Sequence, residues 1–242
     1  MLRCSLLPSI VGPPALLRSY ASYAAPVQAV ALLAAALAFA VPLRAPAVAA
    51  ADRPVRIVVL GDSLTAGFGL PADGAFPAKL EGALKAKGLA AEVTNAGVSG
   101  DTASGGLARL DWSVPEGTDA VILELGANDM LRGTDPQVTR RALEEIVRRL
   151  TQRRVAVLLA GMRAAANFDG AYRRDFDAIY PELARRYDLL LYPFFLDGVA
   201  GEGSLNQGDG LHPSAAGVDA IVARILPKVE ELVRQVRSRG AM

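Results

Sequence analysis

Residues 55–67 read VRIVVLGDSLTAG, an apolar run that ends abruptly in a polar turn with one serine, Ser63. A run rich in Val, Ile and Leu that ends in Gly-Asp-Ser is typical of a strand buried on both faces of a parallel sheet. In such sheets the chemistry takes place beyond the carboxyl ends of the strands. Ser63 is therefore predicted at that edge, although Asp62 and Ser63 would equally serve as the cap of a following helix.

The rest of the chain repeats this strand-then-helix pattern. The predicted strands are residues 55–60, 91–95, 120–125, 155–159 and 189–192. The predicted helices are residues 77–87, a segment through Leu107 and Leu110, and residues 135–153, 171–187 and 213–237. Strands that alternate with helices predict a three-layer α/β/α domain. We expect a five-stranded parallel, flavodoxin-like sheet with strand order 2-1-3-4-5.

Residues 1–51 have the order of a secretory signal. They contain arginines but no acidic residue, and a nearly continuous apolar run at 27–41 precedes small residues at 47–51. This basic, apolar, small order predicts a signal peptide over 1–51 and a single exported domain over 52–242, periplasmic or secreted. An uncleaved N-terminal anchor is the alternative, although the apolar run is short of the ~20 residues that span a bilayer.

Charge and residue counts exclude several classes of protein. The formal net charge is +1 and no long basic run occurs, so nucleic acid is not an expected partner. The single cysteine, Cys4, has no partner for a disulfide, and no Cys/His cluster has the spacing of a metal site. The single histidine, His212, is the obvious group for acid and base work near neutral pH.

Polar turns at the strand ends place the parts of a serine hydrolase together. Ser63, Gly97 and Asn128 follow the first three strands, and the last loop adds Asp209 and His212. His212 would take the proton of Ser63, and Asp209 would fix the imidazole tautomer. The Ser63 N–H, the Gly97 N–H and the Asn128 side chain would bind the oxyanion. Glycine at 97 is expected because a side chain would crowd the substrate carbonyl.

Other roles are open for some of these residues. Asp62, Asp101 and Asp129 are rival candidates for the acid of the triad, and capping or loop bracing is the alternative for each. Asn128 would also fit a simple turn. Asp209 would fit a purely structural loop, with Ser63 and His212 acting as a pair.

Four sequence blocks resemble those of the SGNH (GDSL) hydrolases. They are GDSLTAGFG at 61–69, NAGVSGDT at 95–102, LGAND at 125–129 and DGLHP at 209–213. Within that superfamily the chain is most similar to the periplasmic thioesterase I, lysophospholipase L1 and arylesterase group. The resemblance implies the same five residues in the same roles. It departs at Ala127, where the group usually has glycine, and Ser63 does not lie in a Gly-x-Ser-x-Gly elbow.

The resemblance implies an exported serine esterase or thioesterase that acts through an acyl-enzyme on fatty acyl esters, acyl thioesters or lysophospholipids. No cofactor is implied, and we expect a monomer with transient lipid-surface contact. Side chains expected along an acyl groove, with core or plain surface positions as the alternative, are Met162, Phe168, Tyr172 and Phe194. The alternative functions are a carbohydrate O-acetyl esterase of the same superfamily and a non-catalytic envelope binding protein. A nucleotide or flavin binder is disfavoured because no phosphate-cradling Gly-rich loop follows the first strand.

Overall fold

A computed structural model describes residues 53–240. The strands are β1 (Val55–Gly61), β2 (Ala91–Gly97), β3 (Ala120–Glu124), β4 (Ala156–Ala160) and β5 (Leu190–Tyr192). The helices are α1 (Ser63–Ala66), α2 (Phe76–Ala86), α3 (Ala103–Ala108), α4 (Leu110–Ser113), α5 (Ala127–Leu131), α6 (Pro136–Gln152), α7 (Gly170–Asp177), α8 (Ile179–Tyr187) and α9 (Ala215–Gly240). Short 3-10 turns cover Ala72–Gly74 and Gly203–Leu205. The predicted signal peptide at 1–51 lies outside the described residues and stays a prediction.

The strands form one parallel sheet in the order β2-β1-β3-β4-β5, which confirms the predicted α/β class and strand order. Every residue of β3 and β4 is buried, as expected for strands covered by helices on both faces. β2 is an edge strand and alternates between half-buried and exposed residues at its start. Gly61 pairs in register with Gly97, so the turns that follow β1 and β2 begin side by side.

Two helical layers cover the sheet. α2 and α9 pack together on one face, while α3, α6 and α8 pack together on the other. The apolar stripe of α2 buries Leu80 and Leu84, and that of α6 buries Leu143, Ile146 and Leu150. Each fully buried side chain of this kind stabilises the fold by about 1.5–3 kcal/mol. Among residues 53–240 no helix combines the length and apolarity needed to cross a membrane.

Three helices differ from the sequence prediction. The helix expected through Leu107 and Leu110 is two short helices, α3 and α4, which meet at Arg109. The helix expected at 171–187 is interrupted after Asp177, because Pro181 has no N–H to donate to the Asp177 carbonyl. The last helix begins at Ala215 rather than at Pro213, since Pro213 forms an antiparallel bridge with Asn206.

Candidate active site

The turn between β1 and α1 presents Ser63 at the carboxyl edge of the sheet. The Asp62 side chain caps α1 by accepting the Leu64 N–H at 3.0 Å, and Gly67 ends this single turn with a φ of +84°. A Cβ at Gly61 would lie 2.7 Å from the Glu124 backbone oxygen, so only glycine fits this close approach of β1 and β3. Both predictions for this turn therefore agree with its geometry: Asp62 caps the helix that follows, and Ser63 lies at the edge of the sheet.

Ser63, His212 and Asp209 form a continuous hydrogen-bonded line. His212 Nε2 lies 2.9 Å from Ser63 Oγ, although the two residues are 149 positions apart in the chain. His212 Nδ1 lies 2.6 Å from Asp209 Oδ2. A carboxylate acceptor at Nδ1 favours the imidazole tautomer that leaves Nε2 free to accept the serine proton.

The loop of Asp209 holds its carboxylate ready for this contact. Asp209 Oδ1 accepts the backbone N–H groups of Leu211 at 2.9 Å and His212 at 3.0 Å. The His212 backbone N–H, together with the imidazole and the Leu211 N–H, holds the pKa of Asp209 well below its usual range. The side chain therefore stays ionised throughout the neutral range.

Gln207 joins the loop of His212 to the loop that follows Ser63. Its Nε2 donates to the Phe68 carbonyl at 2.7 Å and to the Pro213 carbonyl at 2.9 Å. Its backbone N–H donates to the His212 carbonyl at 2.7 Å. The sequence analysis missed Gln207 because hydrogen bonds to distant backbone carbonyls leave no local pattern.

Two of the three predicted oxyanion donors, the Gly97 N–H and the Asn128 side chain, already have partners along this edge. Asn128 Nδ2 donates to Asp62 Oδ2 at 3.0 Å, which orients the carboxamide and leaves its second N–H available. The Gly97 N–H donates to Asn95 Oδ1 at 2.9 Å, so an oxyanion would have to share or displace that bond. Ala127 is the first residue of α5, and the positive φ of 117° falls on Gly126. Alanine at 127 therefore fits without strain.

Glycine at 97 has a structural reason that the sequence analysis did not anticipate. A Cβ there would lie 2.4 Å from the Ala66 amide nitrogen and 2.7 Å from the Thr65 hydroxyl. Any larger residue would therefore push against α1, the helix that carries Ser63.

The rival aspartates have structural partners of their own. Asp101 pairs with Arg109 at 2.6 Å. Asp129 accepts the backbone N–H of Ala103 at 2.8 Å and the hydroxyl of Thr139 at 3.0 Å. Asp62 caps α1 and binds the Asn128 side chain. Within residues 53–240, Asp209 is the acid that makes a hydrogen bond to the imidazole.

Arg109 braces the strand ends beneath the site. Its buried guanidinium donates to the Gly61 carbonyl at 2.8 Å and to the Ala96 carbonyl at 2.7 Å. Gly61 is the last residue of β1 and Ala96 is the last but one of β2, so one side chain fixes the relative position of the Ser63 and Gly97 turns. Like Gln207, Arg109 was not singled out from the sequence.

Two carboxyl groups are buried behind Ser63. Glu124 Oε2 lies 3.4 Å from the Asp62 amide, and Glu124 Oε1 has no hydrogen-bond partner among the described residues. Burial, and then the nearby Asp62 charge, raise the pKa of Glu124 well above its usual range. Burial also raises the pKa of Asp62 to about 6, against the opposing hydrogen bonds from Leu64 and Asn128. The folded state therefore favours the protonated, neutral form of Glu124.

This buried acid predicts how stability depends on pH. A raised folded pKa means that the folded state binds a proton which the unfolded state releases above about pH 4.5. Stability should therefore fall as pH rises from about 4.5 towards the raised pKa of Glu124, by up to ~1.4 kcal/mol per pH unit for this one proton. We expect Glu124→Gln to flatten that slope in urea unfolding followed by circular dichroism. The matched control is Glu145→Gln, an exposed acid paired with Arg148, and equal slopes for wild type and Glu124→Gln would contradict the prediction.

The predicted acyl-groove residues have different environments. Met162 is 3% exposed and belongs to the hydrophobic core, which leaves it little surface to offer a substrate. Phe168 stacks on Tyr172 with ring centroids 4.5 Å apart, and both are half-buried. Phe194 is half-buried beneath the guanidinium of Arg163, 5.2 Å from its ring centroid.

A cavity of about 620 Å³ lies at the opposite end of the sheet, around the first residues of β1 and β4. Its lining includes Arg53, Asp119, Arg154 and Arg237, and none of its lining residues is a candidate catalytic residue. The size of this cavity is therefore no guide to the site of the chemistry, which requires a nucleophile beside a base.

A parallel α/β sheet with serine, histidine and aspartate aligned at its carboxyl edge defines a class of hydrolases that cleave carboxylic esters. The profile of the GDSL-like Lipase/Acylhydrolase family matches residues 59–220. The chain belongs to this family, as the sequence blocks predicted, and is a hydrolase that acts on ester bonds.

Curated and solved relatives agree with this assignment. The chain is 40% identical over 167 residues to thioesterase 1/protease 1/lysophospholipase L1 of Escherichia coli (strain K12), covering 69% of this chain and 77% of that protein. It is 38% identical over 166 residues to an arylesterase of Vibrio mimicus, covering 68% of this chain and 83% of that protein. The crystal structure of TesA superposes with a TM-score of 0.70 at 34% identity, covering 73% of this chain and 99% of that one.

Proposed function

We propose that the protein is a serine esterase and thioesterase that works through a covalent acyl-enzyme on Ser63. The observation that carries the proposal is the aligned pair of contacts, 2.9 Å from Ser63 Oγ to His212 Nε2 and 2.6 Å from His212 Nδ1 to Asp209. A serine hydroxyl becomes an effective nucleophile when a neighbouring base removes its proton, and the base needs an oriented acceptor on its other nitrogen.

The proposed reaction has two halves. Ser63 Oγ attacks the acyl carbonyl while His212 Nε2 takes the hydroxyl proton, and the tetrahedral oxyanion accepts N–H groups from Ser63, Gly97 and Asn128. When the intermediate collapses, the bond to the leaving oxygen or sulfur breaks and His212 returns the proton to that atom. A water molecule then attacks the acyl-enzyme with His212 as base, which releases the acid and restores the Ser63 hydroxyl.

The proposed substrates are fatty acyl esters, acyl thioesters and lysophospholipids. The relatives are named as a thioesterase, a lysophospholipase and an arylesterase, which supports this class. The stacked, half-buried pair of Phe168 and Tyr172 supports an apolar wall for an acyl chain. Such a wall discriminates by only ~1–3 kcal/mol per methylene, so activity over a range of chain lengths is expected.

Labelling and turnover test the two halves of this proposal. A fluorophosphonate should transfer its phosphonyl group to the hydroxyl of Ser63 with loss of fluoride, and the peptide of Ser63→Ala should remain unlabelled in the same digest. kcat/KM should rise along p-nitrophenyl esters from acetyl to medium or long chains, and a palmitoyl-CoA and a lysophosphatidylcholine should also be hydrolysed. Labelling at a residue other than Ser63 would contradict the proposal that Ser63 is the nucleophile. A sharp maximum at acetyl would instead indicate an O-acetyl esterase.

Loss of the Asn128 carboxamide should slow the chemical step. Removing one oxyanion donor typically costs about 10²–10³ in kcat, so we expect Asn128→Ala to lower kcat by that factor and to leave KM within about threefold. Asn206→Ala is the control, since that carboxamide donates to the Val199 and Glu202 carbonyls within its own loop. An Asn128→Ala variant with wild-type kcat would indicate that Asn128 is only a turn residue.

We propose, finally, that residues 1–51 are a signal peptide and that residues 52–242 act as an exported monomer. The composition of the first segment supports this, because arginines precede an apolar run and small residues. N-terminal sequencing of the protein from the envelope fraction should begin near residue 52. A start at residue 1 would indicate an uncleaved anchor.

A further inference from the structure

An exposed aromatic side chain covers the imidazole of His212. The ring centroid of Phe68 lies 4.4 Å from that of His212, and the two planes are tilted by 31°. Phe68 is nonetheless 48% exposed, so one side of its ring packs on the imidazole and much of the remainder faces solvent. A large apolar side chain that is exposed to solvent beside a general base offers a contact surface for a substrate.

The backbone holds Phe68 firmly in this place. The Phe68 N–H donates to the Ser63 carbonyl at 3.2 Å, and the Phe68 carbonyl accepts Gln207 Nε2 at 2.7 Å. The first bond ties the residue to the nucleophile, and the second ties it to the loop of the base. The ring is therefore presented by a preorganised loop, which lowers the entropic cost of using it as a binding surface.

The course of the reaction decides which part of a substrate meets this ring. This step rests on the proposed function. His212 protonates the leaving group, so the leaving oxygen or sulfur must come within about 3 Å of Nε2. Because the Phe68 ring packs on the same imidazole, the leaving group is the part of the substrate that is brought next to this ring. The acyl chain extends from the carbonyl carbon that is bonded to Ser63, and it does not have to approach His212 Nε2.

We infer that Phe68 forms the leaving-group subsite and selects esters with flat, apolar leaving groups, aromatic ones above all, whatever their acyl group. Phe68 would then act as a specificity-determining residue for acylation. Deacylation should not depend on it through this contact, because the leaving group has departed by then. An aromatic contact of this kind corresponds to about a 2- to 10-fold preference in kcat/KM.

Two acetate esters isolate this effect. Phenyl acetate and hexafluoroisopropyl acetate have leaving groups of similar acidity and form the same acetyl-enzyme, but only the first carries a flat ring. The ratio of their kcat/KM values therefore reports the leaving-group subsite with the acyl group held constant. We expect Phe68→Leu, which keeps apolar bulk, to lower the phenyl-to-hexafluoroisopropyl ratio by about 2- to 10-fold. Phe68→Tyr, which keeps a ring, should retain the ratio.

The outcomes separate this inference from the proposed function. Trp112→Ala removes an exposed aromatic residue on α4 and should leave the ratio unchanged. If Phe68→Leu lowers both kcat/KM values equally, Phe68 only supports His212 and the inference is overturned. An unchanged ratio in both Phe68→Leu and Phe68→Ala would overturn it as well. If neither these acetates nor a p-nitrophenyl ester of a medium acyl chain is turned over in a Ser63-dependent way, the proposed function itself fails, and the inference fails with it.

Discussion

Replacement of Ser63 with alanine should lower kcat by about 10⁶-fold, because residues of a nucleophile–base unit contribute together rather than singly. His212→Ala and the double variant should show nearly the same loss, since either single change already removes the activated hydroxyl. A residual rate of about 10³–10⁴ over the uncatalysed reaction should remain if the oxyanion donors stay in place. The measurement is kcat for p-nitrophenyl butyrate with purified variants.

Ser204→Ala is the matched control for this experiment. Its hydroxyl donates to Glu202 Oε1 within an exposed loop, so kcat should stay at the wild-type value. The thermal midpoint of Ser63→Ala should also stay close to wild type, since the change removes one hydroxyl and leaves the Asp62 cap of α1 intact. Losses that multiply in the double variant would contradict a joint action of Ser63 and His212.

Asp209→Asn should lower kcat/KM by about 10⁴-fold. The asparagine oxygen can still accept the Leu211 and His212 backbone N–H groups, so the loop should keep its shape. Its amide, however, would point a donor at His212 Nδ1, which favours the tautomer with the proton on Nε2. That tautomer cannot accept the Ser63 proton, so the defect should be in acylation.

The pH profile and a second aspartate distinguish this effect from loss of structure. Because hydrogen bonds hold the pKa of Asp209 well below its usual range, its own titration should contribute nothing to any change in wild-type kcat/KM between pH 5 and 7. Asp197→Asn is the control, since that exposed carboxylate pairs with Arg224 on the surface and should change kcat/KM by less than about twofold. A loss below about tenfold for Asp209→Asn would favour the alternative in which Ser63 and His212 act as a pair.

Much of the fold was readable from local patterns. The apolar run of β1 and its Gly-Asp-Ser ending predicted a buried strand and a turn, because strand burial and turn chemistry depend on neighbouring residues. The same pattern at five strands predicted the parallel sheet, whereas its strand order was an expectation taken from flavodoxin-like sheets, which the pattern alone does not fix. Since carboxyl ends of parallel strands meet at one edge, Ser63, Gly97 and Asn128 were predicted to lie together before any distance was known.

The prediction was poorer wherever a side chain acts at a distance. The interruption before α8 follows from Pro181 and could have been predicted from the sequence. The break between α3 and α4 lies at Arg109, whose guanidinium binds the distant Gly61 and Ala96 carbonyls, and no local pattern indicates that contact. For Met162 the sequence left an acyl groove and the core both open, and its side chain packs into the core. Apolar character alone does not say which way a loop side chain turns.

The sequence by itself determined the layered sheet, the serine turn and the identity of the candidate nucleophile and base, because each depends on short-range pattern or on the scarcity of a residue type such as histidine. Which aspartate contacts the imidazole was decided by the tertiary structure. Only the tertiary structure decided how these groups are held. The bond from Gln207 to Phe68 joins residues 139 positions apart, and the buried Glu124 gains its raised pKa from burial and from Asp62 on a different strand end. Such contacts depend on where distant backbones meet, and that is a property of the folded chain as a whole.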